Sequence, residues 1–320
     1  MTQNNSSTPA LNDSRDSRRA LLGAAMVLVS SLGFSAKAVL IKLAYRYGVD
    51  AVTLLTLRML MSVPFFLAAA LWLRRGAPQQ TMRGRDWLTV SGLGILGYYV
   101  AALFDFLGLQ RITADFERLV LFVYPTLVVV MTAVLFRRPV GRREGLALVL
   151  SYAGIALVFL QGVAERQPGI AMGTALVFGS ALAYATYLVG SGEMIRHLGA
   201  VRFTAYAMTA ACMAAVAQFL VTQPLGHLVQ PVPVYALALA MALLSTVLPA
   251  FLLSAGIRRV GARSAALISG SGPVSTLFLA ALFLNEPVTT VQLAGTALVM
   301  VGVLTVSLPR RPVVVGATAR

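Results

Sequence analysis

Ten apolar stretches of near-membrane length recur along this chain, and that recurrence constrains the fold more than any single motif. They lie at 20–41, 51–73, 87–109, 116–136, 145–163, 169–190, 203–221, 233–255, 264–284 and 290–308. A helix needs about 20 mostly apolar residues to cross a bilayer. Backbone groups in lipid find no water, so each stretch must satisfy its own N–H and C=O groups, which a helix does. Charged residues make up 12% of the chain, about half of the roughly 25% usual in soluble domains. The expected fold is therefore all-α and integral to a membrane, with ten transmembrane helices and the lipid bilayer as its main partner.

The formal net charge of +15 would suit nucleic acid if it formed a stripe on a soluble surface. Here the basic residues sit in short clusters between apolar runs, so no nucleic-acid partner is expected. If the N-terminus is cytoplasmic, 19 of the 26 Lys and Arg residues fall in cytoplasmic segments and four in external ones. The excess of positive charge on one side places both termini in the cytoplasm. Residues 1–18 are polar and read as a disordered cytoplasmic tail, and residues 309–320 as a second cytoplasmic tail.

Moved along by 148 residues, the sequence matches itself: Gly108 falls on Gly256, Arg111 on Arg259, Pro125 on Pro273, Pro139-Val140 on Pro287-Val288 and Gly154 on Gly302. Matched Pro, Gly and Arg are poorly explained by apolar composition alone. The repeats span 19–163 and 169–308, with five helices each. An odd number of crossings turns the second copy over, so the halves are inverted. Inverted repeats are a recurring plan of secondary transporters, with the substrate near the midplane where the halves meet.

Span nine holds Gly272-Pro273-Val274, followed by Leu284-Asn285-Glu286-Pro287-Val288-Thr289 and then Gln292, Gly295 and Gly302 in span ten. Ile41-Lys42-Leu43-Ala44 and Leu57-Arg58 mark the first helical pair. In these residues the chain resembles the drug/metabolite transporter superfamily, in particular its EamA-type ten-helix members. The resemblance covers nearly the whole chain. It implies a metabolite exporter or permease of the bacterial inner membrane. One departure stands out: where the family often has an acidic residue after the fourth helix, this chain has Arg137-Arg138.

Ionisable groups inside a span are costly and usually face the bundle interior or a wet cavity. Lys37, in span one, is the first candidate for contact with a substrate carboxylate or phosphate; the alternatives are snorkelling to the headgroups and a permanent pair with Asp105 or Glu117. Arg118 is a second cationic candidate. Asp105 and Glu117 are candidates for proton coupling, since carboxyls in low dielectric can load and release a proton near neutral pH. Arg58 suits a structural role, because arginine holds bidentate pairs and stays charged. Tyr98, Tyr99, Tyr124, Tyr184 and Tyr187 pair an apolar ring with a hydroxyl and could line a cavity or simply pack. Pro125 and Pro273 occupy equivalent places in the halves and suit hinges or fixed kinks, and Glu286 is assigned a structural role beside them.

The expected function is secondary transport of small organic metabolites, such as amino acids or nucleobases, with export as the direction and protons as a candidate coupling ion. A lipid-modifying enzyme and a non-transporting scaffold are the alternatives. No enzymatic activity, cofactor or metal site is expected: Cys212 is the single cysteine, His197 and His227 fall in loops, and no nucleotide motif is present.

Overall fold

The computed structural model describes residues 10–74, 82–135, 137, 141–269 and 271–307. Among them there are helices and turns and no strands. Eight helices are long and apolar enough to cross a membrane, and two shorter apolar helices follow.

The elements are α1 (Ala10–Tyr45), α2 (Ala51–Arg74), α3 (Gly84–Gly94, Ile95–Val100 and Ala101–Leu109 in succession) and α4 (Ala114–Leu121, then Tyr124–Leu135). After them come α5 (Arg142–Ala164), α6 (Ile170–Leu198), α7 (Ala200–Thr222), α8 (Val232–Ala242, Leu243–Val247 and Leu248–Ser269), α9 (Gly272–Leu284) and α10 (Thr290–Ser307). Helix α1 starts at Ala10, inside the stretch expected to be a disordered tail. Once a helix is nucleated, extending it is cheap, so α1 runs beyond its apolar core at both ends. Residues 1–9 and 308–320 lie outside the described residues.

Spans four, eight and nine also differ from the sequence reading. The chain stays helical across the expected loop between spans eight and nine, because Leu248–Ser269 forms one run. The residues from Arg258 to Ser269 include no proline and several good helix formers. Span four, expected to be continuous, breaks at Phe122 and Val123.

The repeat extends to backbone irregularities. Helix α3 widens into a π-helical turn at Ile95–Val100, and α8 does so at Leu243–Val247. Their first residues, Ile95 and Leu243, are again 148 positions apart. Arg137 and Asn285, also equivalent, both adopt left-handed backbone, with φ of 50° and 56°. Asparagine tolerates that conformation better than arginine does.

The inverted halves interlock helix by helix: α1 packs on α8, α3 on α6, α2 on α7, α4 on α9 and α5 on α10. Glycines set the first two contacts. A Cβ on Gly108 of α3 would lie 2.5 Å from Val177 Cγ2 and 3.1 Å from the Gly173 carbonyl of α6. A Cβ on Gly256 of α8 would lie 2.5 Å from Val27 Cγ2 and 3.0 Å from the Gly23 carbonyl of α1. The same small-residue contact therefore occurs twice, once on each side of the pseudo-dyad. Such contacts let helix backbones approach in lipid, where no hydrophobic effect drives them together.

Candidate functional site

Helices α1, α3 and α4 bring Lys37, Asp105 and Glu117 together. Lys37 Nζ donates to Asp105 Oδ2 at 2.5 Å and lies 3.7 Å from Glu117 Oε1. Asp105 is 1% exposed and Glu117 is fully buried. The two carboxyls are within hydrogen-bonding reach of each other, yet Asp105 Oδ1 and both Glu117 oxygens have no donor. Two ionised carboxylates can only accept, so this contact becomes a hydrogen bond when one of them carries a proton. Burying carboxylate oxygens with neither donor nor proton is costly. The arrangement can therefore hold a proton between its two acidic groups, with Lys37 as counter-ion.

Arg58 of α2 approaches from the side. Its Nε and Nη2 donate to Thr246 Oγ1 at 3.3 and 3.2 Å, and its guanidinium carbon sits 5.6 Å from the centre of the Phe106 ring. Thr246 lies in the π-helical turn of α8, where its hydroxyl donates to the Met241 carbonyl five residues back at 3.1 Å. A π turn displaces carbonyls from the ordinary helical ladder, and Thr246 gives one of them a partner. Arg58 then links α2 of the first repeat to that turn in the second.

Arg118, one position beyond Glu117, forms no ion pair with any described carboxylate, and its Nε has no hydrogen-bond partner. A Cβ on Gly272, at the start of α9, would lie 2.8 Å from Arg118 Nη2. The guanidinium thus occupies space that the missing side chain leaves. It is also near enough to Tyr124 and Tyr184 to act on both electrostatically.

Four of the five tyrosines meet beside it. The Tyr98 and Tyr187 hydroxyls are 2.8 Å apart and their rings 5.0 Å apart. Tyr124 packs edge-on against Tyr184 at 5.2 Å, and Tyr184 stacks on Tyr187 at 5.7 Å. Tyr99 points elsewhere, donating to Gln218 Oε1 of α7 at 2.7 Å. Tyr98 and Tyr99 both sit in the π-helical turn of α3.

The paired prolines open half-helices. Pro273 is in the first turn of α9, and Pro125 is the second residue of the later part of α4. In a first turn the missing N–H has no intrahelical acceptor to lose. The new start of α9 is tied to α1, since Ser35 Oγ donates to the Gly272 carbonyl at 2.9 Å.

Glu286 lies beyond α9, where its carboxylate accepts the Ala114 backbone N–H at 3.0 and 3.2 Å and faces Lys42 Nζ at 3.9 Å. Lys42, Thr246 and Ser35 did not emerge from the sequence as site residues. The apolar run ends at 41, so the sequence alone leaves Lys42 in a loop. Its spacing from Lys37 is nonetheless about a turn and a half, or roughly 7.5 Å along a helix.

This is a two-repeat polytopic membrane fold with an ionisable group, Lys37, Asp105 and Glu117, set between its helices. The profile of the EamA-like transporter family matches residues 21–160 and 171–308, and the chain belongs to that family. It is 32% identical over 282 residues to Uncharacterized transporter YcbK of Bacillus subtilis (strain 168), covering 87% of this chain and 90% of that protein. It is 24% identical over 251 residues to Uncharacterized transporter YyaM of the same strain, covering 76% and 82%. A solved crystal structure superposes with a TM-score of 0.59 at 19% identity, over 91% of this chain and 96% of the other. That likeness concerns the fold alone.

Proposed function

We propose that this chain is a proton-coupled secondary transporter that exports small organic metabolites carrying an anionic group. Its substrate binds between the repeats near Arg118 and the Tyr98, Tyr124, Tyr184 and Tyr187 cluster. Asp105 and Glu117 carry the coupling proton, and no covalent step is required. The observation that carries this reading is the group formed by half-buried Lys37 with buried Asp105 and Glu117, in which three carboxylate oxygens have no donor. Lys37 balances the charge of that group, which leaves Arg118 as the cation available to a substrate.

The bias of basic residues supports a bacterial inner-membrane protein with both termini in the cytoplasm and the Lys37 end outside. Alternating access then follows from rocking one repeat against the other. The test is untargeted mass spectrometry of medium and cell extract from cells with the intact protein, with Arg118→Gln, or with empty vector. The expected result is an anionic metabolite enriched outside only with the intact protein. If no metabolite moves despite confirmed membrane insertion, the export reading fails.

A further inference from the structure

A second acidic group joins the two repeats. Helix α4 begins after Thr113, whose side chain makes no capping bond. Its first N–H, from Ala114, is bonded instead by Glu286 of the other repeat. Asp115 is buried beside this contact, and its Oδ1 has no partner. Lys42 of α1 completes the group, and four residues further on Arg46 Nη2 donates to the Leu284 carbonyl at 3.3 Å.

We propose that Asp115, Glu286 and Lys42 form a proton-operated latch between the repeats, closed when Glu286 is protonated and released when it ionises. This goes beyond the transport reading, because the latch is a conformational property that needs no substrate. Ionised, Glu286 keeps the Ala114 N–H and Lys42 but faces the Asp115 carboxylate with like charge. Protonated, it keeps the Ala114 bond through one oxygen and donates to Asp115 through the other.

Among the described residues, few charged or titratable groups surround Glu286. Helix α1 presents Lys42 and Arg46, and α4 presents Asp115. Helix α5 presents Gln161, which does not titrate and meets Thr289 at 3.2 Å. Glu165 sits one bond further away, on Gln161 Nε2 at 2.7 Å. Burial is the main reason the Glu286 carboxyl is pushed up to about 7; the Asp115 charge adds to it, while the Ala114 N–H and Lys42 oppose it. A solvated glutamate titrates at about 4.3. The carboxyl therefore binds its proton more tightly when the latch is closed. Its contribution to closure is complete below the solvated value and is lost as pH rises through about 7.

The test places spin labels at Tyr47→Cys and Val288→Cys in a Cys212→Ala background, in nanodiscs without substrate. Label distances are read between about pH 5 and about pH 8, a range that brackets a carboxyl shifted by burial. In the parent, the short-distance population should grow as pH falls through about 7. Glu286→Gln should hold it at every pH, since the amide donates to Asp115 and accepts from Ala114. Asp115→Asn should move the midpoint towards acid. A parent profile that does not change with pH overturns the proposal, as does a Glu286→Gln profile that still follows the parent. Should Glu286→Gln fail to insert, Asp115→Asn decides, and an unmoved midpoint overturns it.

Discussion

Lys37 and Asp105, 68 residues apart on α1 and α3, meet at 2.5 Å in a part of the bundle where the carboxylate is 1% exposed. The ammonium is the only cation within ion-pairing distance of either Asp105 or Glu117 among the described residues. Lys37→Ala therefore leaves two buried acidic groups without an ion-pair partner among the described residues. Breaking a buried pair from one side costs about 3–5 kcal/mol. We expect Lys37→Ala to lower the thermal midpoint in detergent sharply. The Lys37→Ala, Asp105→Ala double variant should recover part of the loss, and strictly additive losses would show that the pair is not coupled.

Arg58 and Thr246 join the two repeats through a partly buried contact. Thr246→Val removes the acceptor of two guanidinium hydrogen bonds and the donor to Met241. Hydrogen bonds to charged groups contribute about 1.5–3 kcal/mol. A measurable fall in unfolding midpoint is expected. Thr246→Ser, which keeps the hydroxyl, should restore most of it.

Gly272 predicts a separation of function from stability. Gly272→Ala puts a methyl group 2.8 Å from the present position of Arg118 Nη2, too close for both to stay. The obstacle is the far end of a flexible side chain, so the guanidinium can swing away without unfolding the helix. The variant should insert and melt like the parent while losing substrate affinity, read as a raised KM in transport. A large drop in midpoint with normal KM would mean that Arg118 holds structure and not substrate.

Much of this architecture was legible in the sequence because lipid imposes a simple rule on length and polarity. Ten apolar runs and the matched Pro125 and Pro273 gave the helices and the two repeats. What the sequence hid was local. Lys42 reads as a loop residue in the sequence, because helix α1 continues past its apolar core to Tyr45. The break at Phe122 and Val123 lay inside a run whose hydropathy does not change there. Contacts such as Arg58 with Thr246 depend on a π-helical turn, which shifts side chains by about one position and leaves no compositional trace. Tyr98 and Tyr99 stand side by side in the chain, yet one joins the tyrosine cluster and the other bonds Gln218 on α7.

Whether Glu117 with Asp105 carries the coupling proton is decided in proteoliposomes loaded with the exported metabolite. Substrate exchange and flux driven by a pH gradient would be measured for the parent and for Glu117→Gln. Glu117→Gln should keep exchange, because Arg118 and the tyrosines are intact, and lose the response to the gradient. A Glu117→Gln variant that still accumulates substrate along the pH gradient as the parent does would contradict it.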